Sequence, residues 1–485
     1  MKRNFRGASA GVAAFLALLA AGCSVGPKYR RPEIQPPAAF KETPPETYKE
    51  WQAAHPSDTE LRGDWWTLFG DPQLNSLEEQ VNLSNENLKA AQARFDQARA
   101  LIRVSQSQRY PGVTAGVQVT GNRDSSTYAL ATPKTSSTFG NYVLPIDVSY
   151  EVDAWGRVRH TIEAARTEAQ ASAADLETLR LSYHAELAFD YFELRSADAE
   201  QKLLDDTVVT YQKALDLTQN RFDGGVAAGA EVAQAKTQLE ATKTQDADIA
   251  VRRAQFEHAI AVLTGKNPSA LSISAKPLTT EPPAIPVGLP SQLLERRPDI
   301  AASERRVAEA NAQVGIAQAA FFPQILLGAA LGLQGQSVTD WLNWPSRFWA
   351  VGPSVLQTVF DGGKRRATQR AAEFDYDATV ATYRQTTLDA FQQVEDNLAA
   401  LRILEVETAT QKAAVAAAEQ SLQLSTNRYT GGLVTYLEVV TAQSAALANE
   451  RAAVDILRRR MDASVLLIKA LGGGWNTSQL PTLTN

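Results

Sequence analysis

Tyr142-Val-Leu-Pro-Ile-Asp-Val-Ser-Tyr-Glu-Val152 decides how this chain folds. Tyr142, Leu144, Ile146, Val148, Tyr150 and Val152 alternate with a set that includes Pro145, Asp147, Ser149 and Glu151, the period of two that marks a strand with one apolar face. Three other segments read alike. Val113, Ala115, Val117 and Val119 alternate with Thr114, Gly116, Gln118 and Thr120, and Ile325, Leu327, Ala329, Leu331 and Leu333 alternate with Gln324, Gly328, Gly332 and Gln334. A weaker alternation runs over 348–360. Each segment has roughly the 9 to 13 residues that a tilted strand needs to cross a bilayer. Four strands of a soluble sandwich are the alternative; against it stand Trp341, Trp344, Phe348 and Trp349 near one end, placed as an interfacial belt. Polar loops over 122–141 and 336–347 join the strands.

Outward from the strands the period becomes helical. Helices are expected over 73–109, 157–222 and 230–264, and at 1.5 Å per residue they measure about 55, 99 and 52 Å. The two shorter ones laid end to end match the long one, so a helical tube close to 100 Å long is implied. Leu176, Leu179, Tyr183, Leu187, Tyr191, Leu194, Ala197, Leu204, Val208, Tyr211 and Leu215 step by three and four residues, a coiled-coil seam. The plan then repeats. Asn220-Arg-Phe-Asp-Gly-Gly225 returns as Asn427-Arg-Tyr-Thr-Gly-Gly432 and Glu231-Val-Ala-Gln-Ala235 as Glu438-Val-Val-Thr-Ala442. The chain divides into a signal (1–22), a Pro-rich segment (23–72), a first repeat (73–272), a linker (273–298), a second repeat (299–472) and a tail (473–485).

Four strands cannot close a barrel, and an open edge in hydrocarbon leaves backbone groups unsatisfied at several kcal/mol each, so the chain must oligomerise. Two copies give eight strands, whose side chains fill the interior; three give twelve and leave a lumen.

Composition excludes other functions. The 485 residues carry 48 Lys+Arg against 54 Asp+Glu, a formal charge of −6, which disfavours phosphate backbones as partners. No nucleic acid is expected. His55, His160, His184 and His258 include no i, i+4 pair and there is one cysteine, so neither a metal site nor a disulfide framework is expected. Gly265-Lys266 lacks the rest of a phosphate-binding loop, with Ile260 and Asn267 at its other key positions. No catalytic constellation is found.

At the amino terminus Lys2, Arg3 and Arg6 precede a short apolar run, the pattern of an export signal. It ends in Leu19-Ala-Ala-Gly-Cys23, similar to a bacterial lipobox with Ala20 where Leu is commonest. Cleavage before Cys23 would leave a thiol for diacylglycerol and an amine for an N-acyl chain, a firm anchor at about 0.8 kcal/mol per buried methylene. No other cofactor is expected. Losing the three signal cations takes the formal charge from −6 to −9.

Val25-Gly-Pro-Lys-Tyr29, Trp65-Trp66, Phe69-Gly-Asp-Pro72 with Leu74, and above all Leu293-Leu-Glu-Arg-Arg-Pro-Asp-Ile300 resemble the signature segments of outer-membrane factor lipoproteins, the TolC-like (NodT-type) channels of tripartite efflux pumps. The resemblance covers the whole mature chain. It implies a mainly α fold with membrane β: a homotrimer whose four strands per chain form a twelve-stranded outer-membrane barrel above a long periplasmic α-barrel. It also implies a passive exit duct that docks a periplasmic adaptor and an inner-membrane transporter of the resistance-nodulation-division class. Outer-membrane lipid is the remaining partner. A duct for type I protein secretion and a pore-less lipid-anchored scaffold stay open as alternatives.

Two sets of residues then acquire candidate roles. The turns Gly224-Gly225 and Gly431-Gly432, with Arg221, Phe222, Arg428 and Tyr429, lie farthest from the strands and are expected to meet the adaptor; ordinary turn chemistry is the alternative. In related channels the helix after the second tip carries a constricting Leu and an Asp one turn later. Here Leu437 and Thr441 stand there, with Arg428 nearby, and Glu438 would supply the carboxylate if its side chain faced inward.

Overall fold

The computed structural model describes residues 25–45, 63–123, 125, 138–285, 287 and 290–482. Its helices are α1 (Pro72–Ser84), α2 (Glu86–Ser107), α3 (Arg157–Asp223), α4 (Gly229–Leu263), α5 (Pro298–Ala319), α6 (Lys364–Thr430) and α7 (Tyr436–Ala470). Its strands are β1 (Gly112–Ala115), β2 (Gln118–Arg123), β3 (Thr138–Glu151), β4 (Gln324–Gly335) and β5 (Arg347–Leu356). The long helices α3 and α6 have 67 residues each and the return helices α4 and α7 have 35 each. Both pairs start and stop 207 residues apart (157 to 364, 223 to 430), the offset at which the tip sequence recurs. At 1.5 Å per residue a 67-residue helix is about 100 Å long.

The expected helix over 73–109 is two helices. Asn85 interrupts it in extended conformation: its Oδ1 accepts from the Asn87 and Leu88 amides at 3.0 Å, and its Nδ2 donates to the Leu263 carbonyl at 2.9 Å. A buried Asn that caps one helix and ties it to the end of another stabilises the break. The α3 seam is buried at Leu176, Leu187, Tyr191, Leu194, Ala197, Leu204 and Tyr211. α3 packs along α2, α4, α5 and α7, while α6 packs along α5 and α7.

The sheet is antiparallel and four strands wide, because β1 and β2 share one partner. β1 and β2 pair β3, β3 pairs β4, and β4 pairs β5. The first expected strand is therefore broken at Gly116 and Val117. The register is continuous across the break, since Ala115 faces Ile146 and Gln118 faces Val143. Pro145 explains the gap. Its carbonyl accepts from the Gly116 amide at 3.1 Å, but without an N–H it cannot complete that pair. The last strand ends at Leu356, and 357–360 leave the ladder. The connection over 336–346 is not an open loop: it holds a helical turn at Val338–Trp341 and a 3-10 turn at Trp344–Ser346.

Register sorts the faces. Ile146, Val148, Leu331, Ala329, Trp349 and Val351 share one face with Val113 and Ala115. Asp147, Ser149, Gly328, Ala330, Ala350 and Gly352 occupy the other, a surface of small and polar residues. The outer edges, β1/β2 and β5, have no partner strand among the described residues.

The largest core lies away from the sheet, where Trp65, Trp66 and Phe69 meet α1, α3, α6 and α7. Arg297 ties this waist together, donating to both Asp299 oxygens at 3.0 and 2.6 Å, to Gln393 at 2.9 Å and to the Ala470 carbonyl at 3.0 Å. Beside it Gly472, at φ +92°, lies so close that a Cβ would come within 2.0 Å of the Arg296 carbonyl oxygen. Glu78 and His184 form a buried pair, Oε2 to Nδ1 2.7 Å, with Trp66 stacked on the imidazole at 4.4 Å.

Candidate functional site

The tips come first. α3 ends in a turn where the Gly225 amide donates to Phe222 at 2.8 Å and the Val226 amide to Arg221 at 2.8 Å; after α6 Gly432 donates to Tyr429 at 3.0 Å and Leu433 to Arg428 at 2.9 Å. Gly225 and Gly432 both sit at φ +73°, whereas Gly224 (−81°) and Gly431 (−72°) have ordinary backbone. Only the second glycine of each pair is required by the turn.

The two turns are locked together. The Arg221 guanidinium stands 4.7 Å over the Tyr429 ring and donates to the Thr430 carbonyl at 3.3 Å. The Tyr429 hydroxyl donates to Glu231 at 3.2 Å, and its ring meets Tyr436 edge-on at 5.3 Å. Tyr429 and Tyr436 are buried with Ala235 and Val439. Of the residues expected to meet an adaptor, Phe222, Gly224, Gly225, Arg428, Gly431 and Gly432 are exposed, Arg221 is half-buried, and Tyr429 faces inward and shapes the tip instead. Sequence reading passed over Val226 and Leu433, which are 70% and 76% exposed at matching places. The signal was there in the duplication, as one apolar residue directly after each Gly-Gly.

The gate residues lie on the first turns of α7. Leu437 is 56% exposed in the single chain, and the Thr441 hydroxyl donates to its carbonyl at 2.9 Å. Glu438 is held by Arg428 at 2.6 Å, so its carboxylate is engaged across its own Gly431-Gly432 turn.

At the other end a collar joins helices to sheet. Trp155 stacks on Phe322 at 4.9 Å and donates to the Pro323 carbonyl at 2.7 Å. The Val25 amide donates to the Trp155 carbonyl at 3.0 Å, the His160 Nε2 lies 3.0 Å from the Val25 carbonyl, and Asn311 donates to Pro27 at 3.1 Å. The chain thus leaves the described residues beside the base of the sheet. Cys23 lies outside them. Among the described residues no cluster of His, Cys, Asp and Glu is arranged to hold a metal, and no helix is long and apolar enough to cross a membrane.

Comparison with known proteins agrees with this geometry. The family model described as outer membrane efflux protein matches residues 77–266 and 289–473. The outer membrane protein OprJ of Pseudomonas aeruginosa is 31% identical over 473 residues, 96% of each chain, and the probable efflux pump outer membrane protein TtgC of Pseudomonas putida is 30% identical over 467 residues, 95% of each. Among solved structures the outer-membrane channel OprN superposes with a TM-score of 0.85 at 31% identity, covering 93% of this chain and all of that one.

Proposed function

Because the chain belongs to the outer membrane efflux protein family, a family of channels rather than enzymes, we propose that three copies form one passive exit duct for a tripartite pump. The observation that supports this is the sheet: an apolar face, a small polar face, and two edges without partners among the described residues. Joining β5 of each copy to β1/β2 of the next closes twelve strands around the small polar face, satisfies the edge backbone, and turns the apolar face to lipid. The paired helices below then continue the lumen as a tube of about 100 Å.

Cys23 carries a diacylglycerol and an N-acyl chain. Support comes from Val25, two residues on, which is fixed to Trp155 where the sheet meets the helices. The tips dock a periplasmic adaptor, which links the duct to an inner-membrane transporter of the resistance-nodulation-division class. Phe222, Val226, Arg428 and Leu433 present the contact surface, the Gly225 and Gly432 turns hold it in shape, and Arg221 with Tyr429 fastens one tip to the other.

A threefold ring of Leu437 narrows the tube, and the Arg428–Glu438 pair restrains it. That pair is exposed and contributes about 0.2–1 kcal/mol, enough to bias a closed tip without locking it. Adaptor binding separates the helices and opens the duct. Single-channel recording in planar bilayers tests this: Leu437→Ala, Thr441→Ala and Arg428→Glu are each expected to raise conductance, and three unchanged conductances would remove the gate from this level. Arg428→Glu is also expected to weaken pump assembly and drug resistance in cells, an outcome that unaltered resistance would contradict.

A further inference from the structure

The apolar face of the sheet carries a slot at the end farthest from the helices. The 336–346 connection folds back over that face, and Trp341 tilts against Tyr142 with ring centroids 5.7 Å apart. It walls a pocket of about 510 Å³ whose apolar lining includes Leu144, Ile146, Leu331, Leu342 and Trp349. That volume is in the range of ligand pockets. Arg347 stands at its rim, paired in register with Leu333 on the apolar face. Its guanidinium lies 4.8 Å over the Trp344 ring and donates to the Trp344 carbonyl at 3.0 Å, and among the described residues no carboxylate forms an ion pair with it. Trp344 itself is 76% exposed. β4 has 12 residues, about 40 Å of chain, so with tilt the Leu333 and Arg347 level falls at the rim of an apolar band about 25 Å tall.

We propose that this slot holds an acyl chain of a phosphorylated lipid of the outer leaflet, with the lipid's phosphate on Arg347. Two features choose this occupant. The slot is continuous with the face that meets lipid in the proposed duct, on which reading this inference rests, so an acyl chain enters it without leaving hydrocarbon. Arg347 supplies, among the described residues, a cation without a carboxylate partner at headgroup height, and its planar fork suits phosphate. A free phosphate would leave the apolar walls uncovered. The folded-back connection then works as a clasp: Leu342 and the aromatic rings close over the chain, and the Arg347 side chain, already held over Trp344, needs little ordering to meet the headgroup.

Native mass spectrometry of the full-length detergent-purified assembly tests the proposal, after incubation with bis-phosphorylated lipid A or its dephosphorylated counterpart. Wild type is expected to retain the phosphorylated lipid about tenfold more, equivalent to about 1.4 kcal/mol. Arg347→Gln is expected to abolish that preference, and Leu342→Glu to reduce retention of both lipids. Equal retention of the two lipids by wild type, or an unchanged preference in Arg347→Gln, would overturn it. So would a photoreactive residue at position 342 that crosslinks to a neighbouring subunit instead of lipid. Assembly mass and channel conductance are read on the same samples, so conducting trimers without lipid discrimination sink the slot alone, whereas absence of conducting trimers sinks the duct.

Discussion

Glu78 and His184 show how closely single residues are tuned in the waist. Burial raises Glu78 well above the ordinary carboxylate range, and burial with nearby Arg180 pushes His184 down to about 3, so burial favours the neutral form of each partner across 2.7 Å. The two titrations act in opposite directions. His184 stays neutral in the fold while its unfolded counterpart takes a proton below about 6.5, so stability falls as pH drops from there towards 3. Glu78 keeps its proton in the fold while the unfolded carboxyl releases it above about 4.3, so stability also falls as pH rises beyond that value. Glu78→Gln removes only the second dependence. Thermal melts of the purified assembly are expected to show the variant gaining stability from pH 5 to about 6.5 and then holding level, while wild type changes little over that range and loses stability above it; coincident profiles would show that Glu78 does not hold its proton. Glycines offer a cleaner contrast. Gly432→Ala places a Cβ in open space but in the left-handed region, at a cost of about 1–2 kcal/mol, while Gly431→Ala costs little of this strain. Hydrogen exchange at the α6–α7 turn is expected to quicken in the first variant and hardly change in the second.

Among the elements, what the sequence made readable is what has a period. The α3 seam, the 207-residue recurrence and three of the strands follow from spacings of 3.5, from repetition and from alternation. Interruptions were harder to read, because each depends on a partner distant in the chain. Asn85 breaks a helix whose apolar pattern runs on through it, and the Leu263 carbonyl that rewards the break is 178 residues away. Pro145 was visible, but the ladder gap it makes falls on the partner strand, at Gly116 and Val117. The position of Tyr429 beside the second tip groups it with the residues expected to meet an adaptor, and only the tertiary fold brings Arg221, Glu231 and Tyr436 around its ring. Asn85→Ala is expected to lower the melting temperature, losing about 0.5–2 kcal/mol of capping plus a buried hydrogen bond, and to loosen the first turn of α2 before α3 in hydrogen exchange. An unchanged melt would make the break incidental.

For the molecule as a whole, the equal helix pairs and the four-strand-wide sheet make one chain a sector of something larger. Its apolar face bears Trp349, 76% exposed, with Val113 and Leu327 also open to the surroundings. Lipid can cover that face, but lipid cannot pair a strand edge, and the edges of β1/β2 and β5, unpartnered among the described residues, need other strands to satisfy them. The chain's identity as an outer-membrane efflux channel follows from its family; the proposed stoichiometry of three rests on these edges and on the need for a lumen. The most direct measurement is the mass of the detergent-solubilised mature protein by light scattering, corrected for bound detergent, together with bilayer conductance of the same fraction. Three chains per particle with one conducting pore is the expected result; a stable, non-conducting monomer with its sheet edges left open would contradict it.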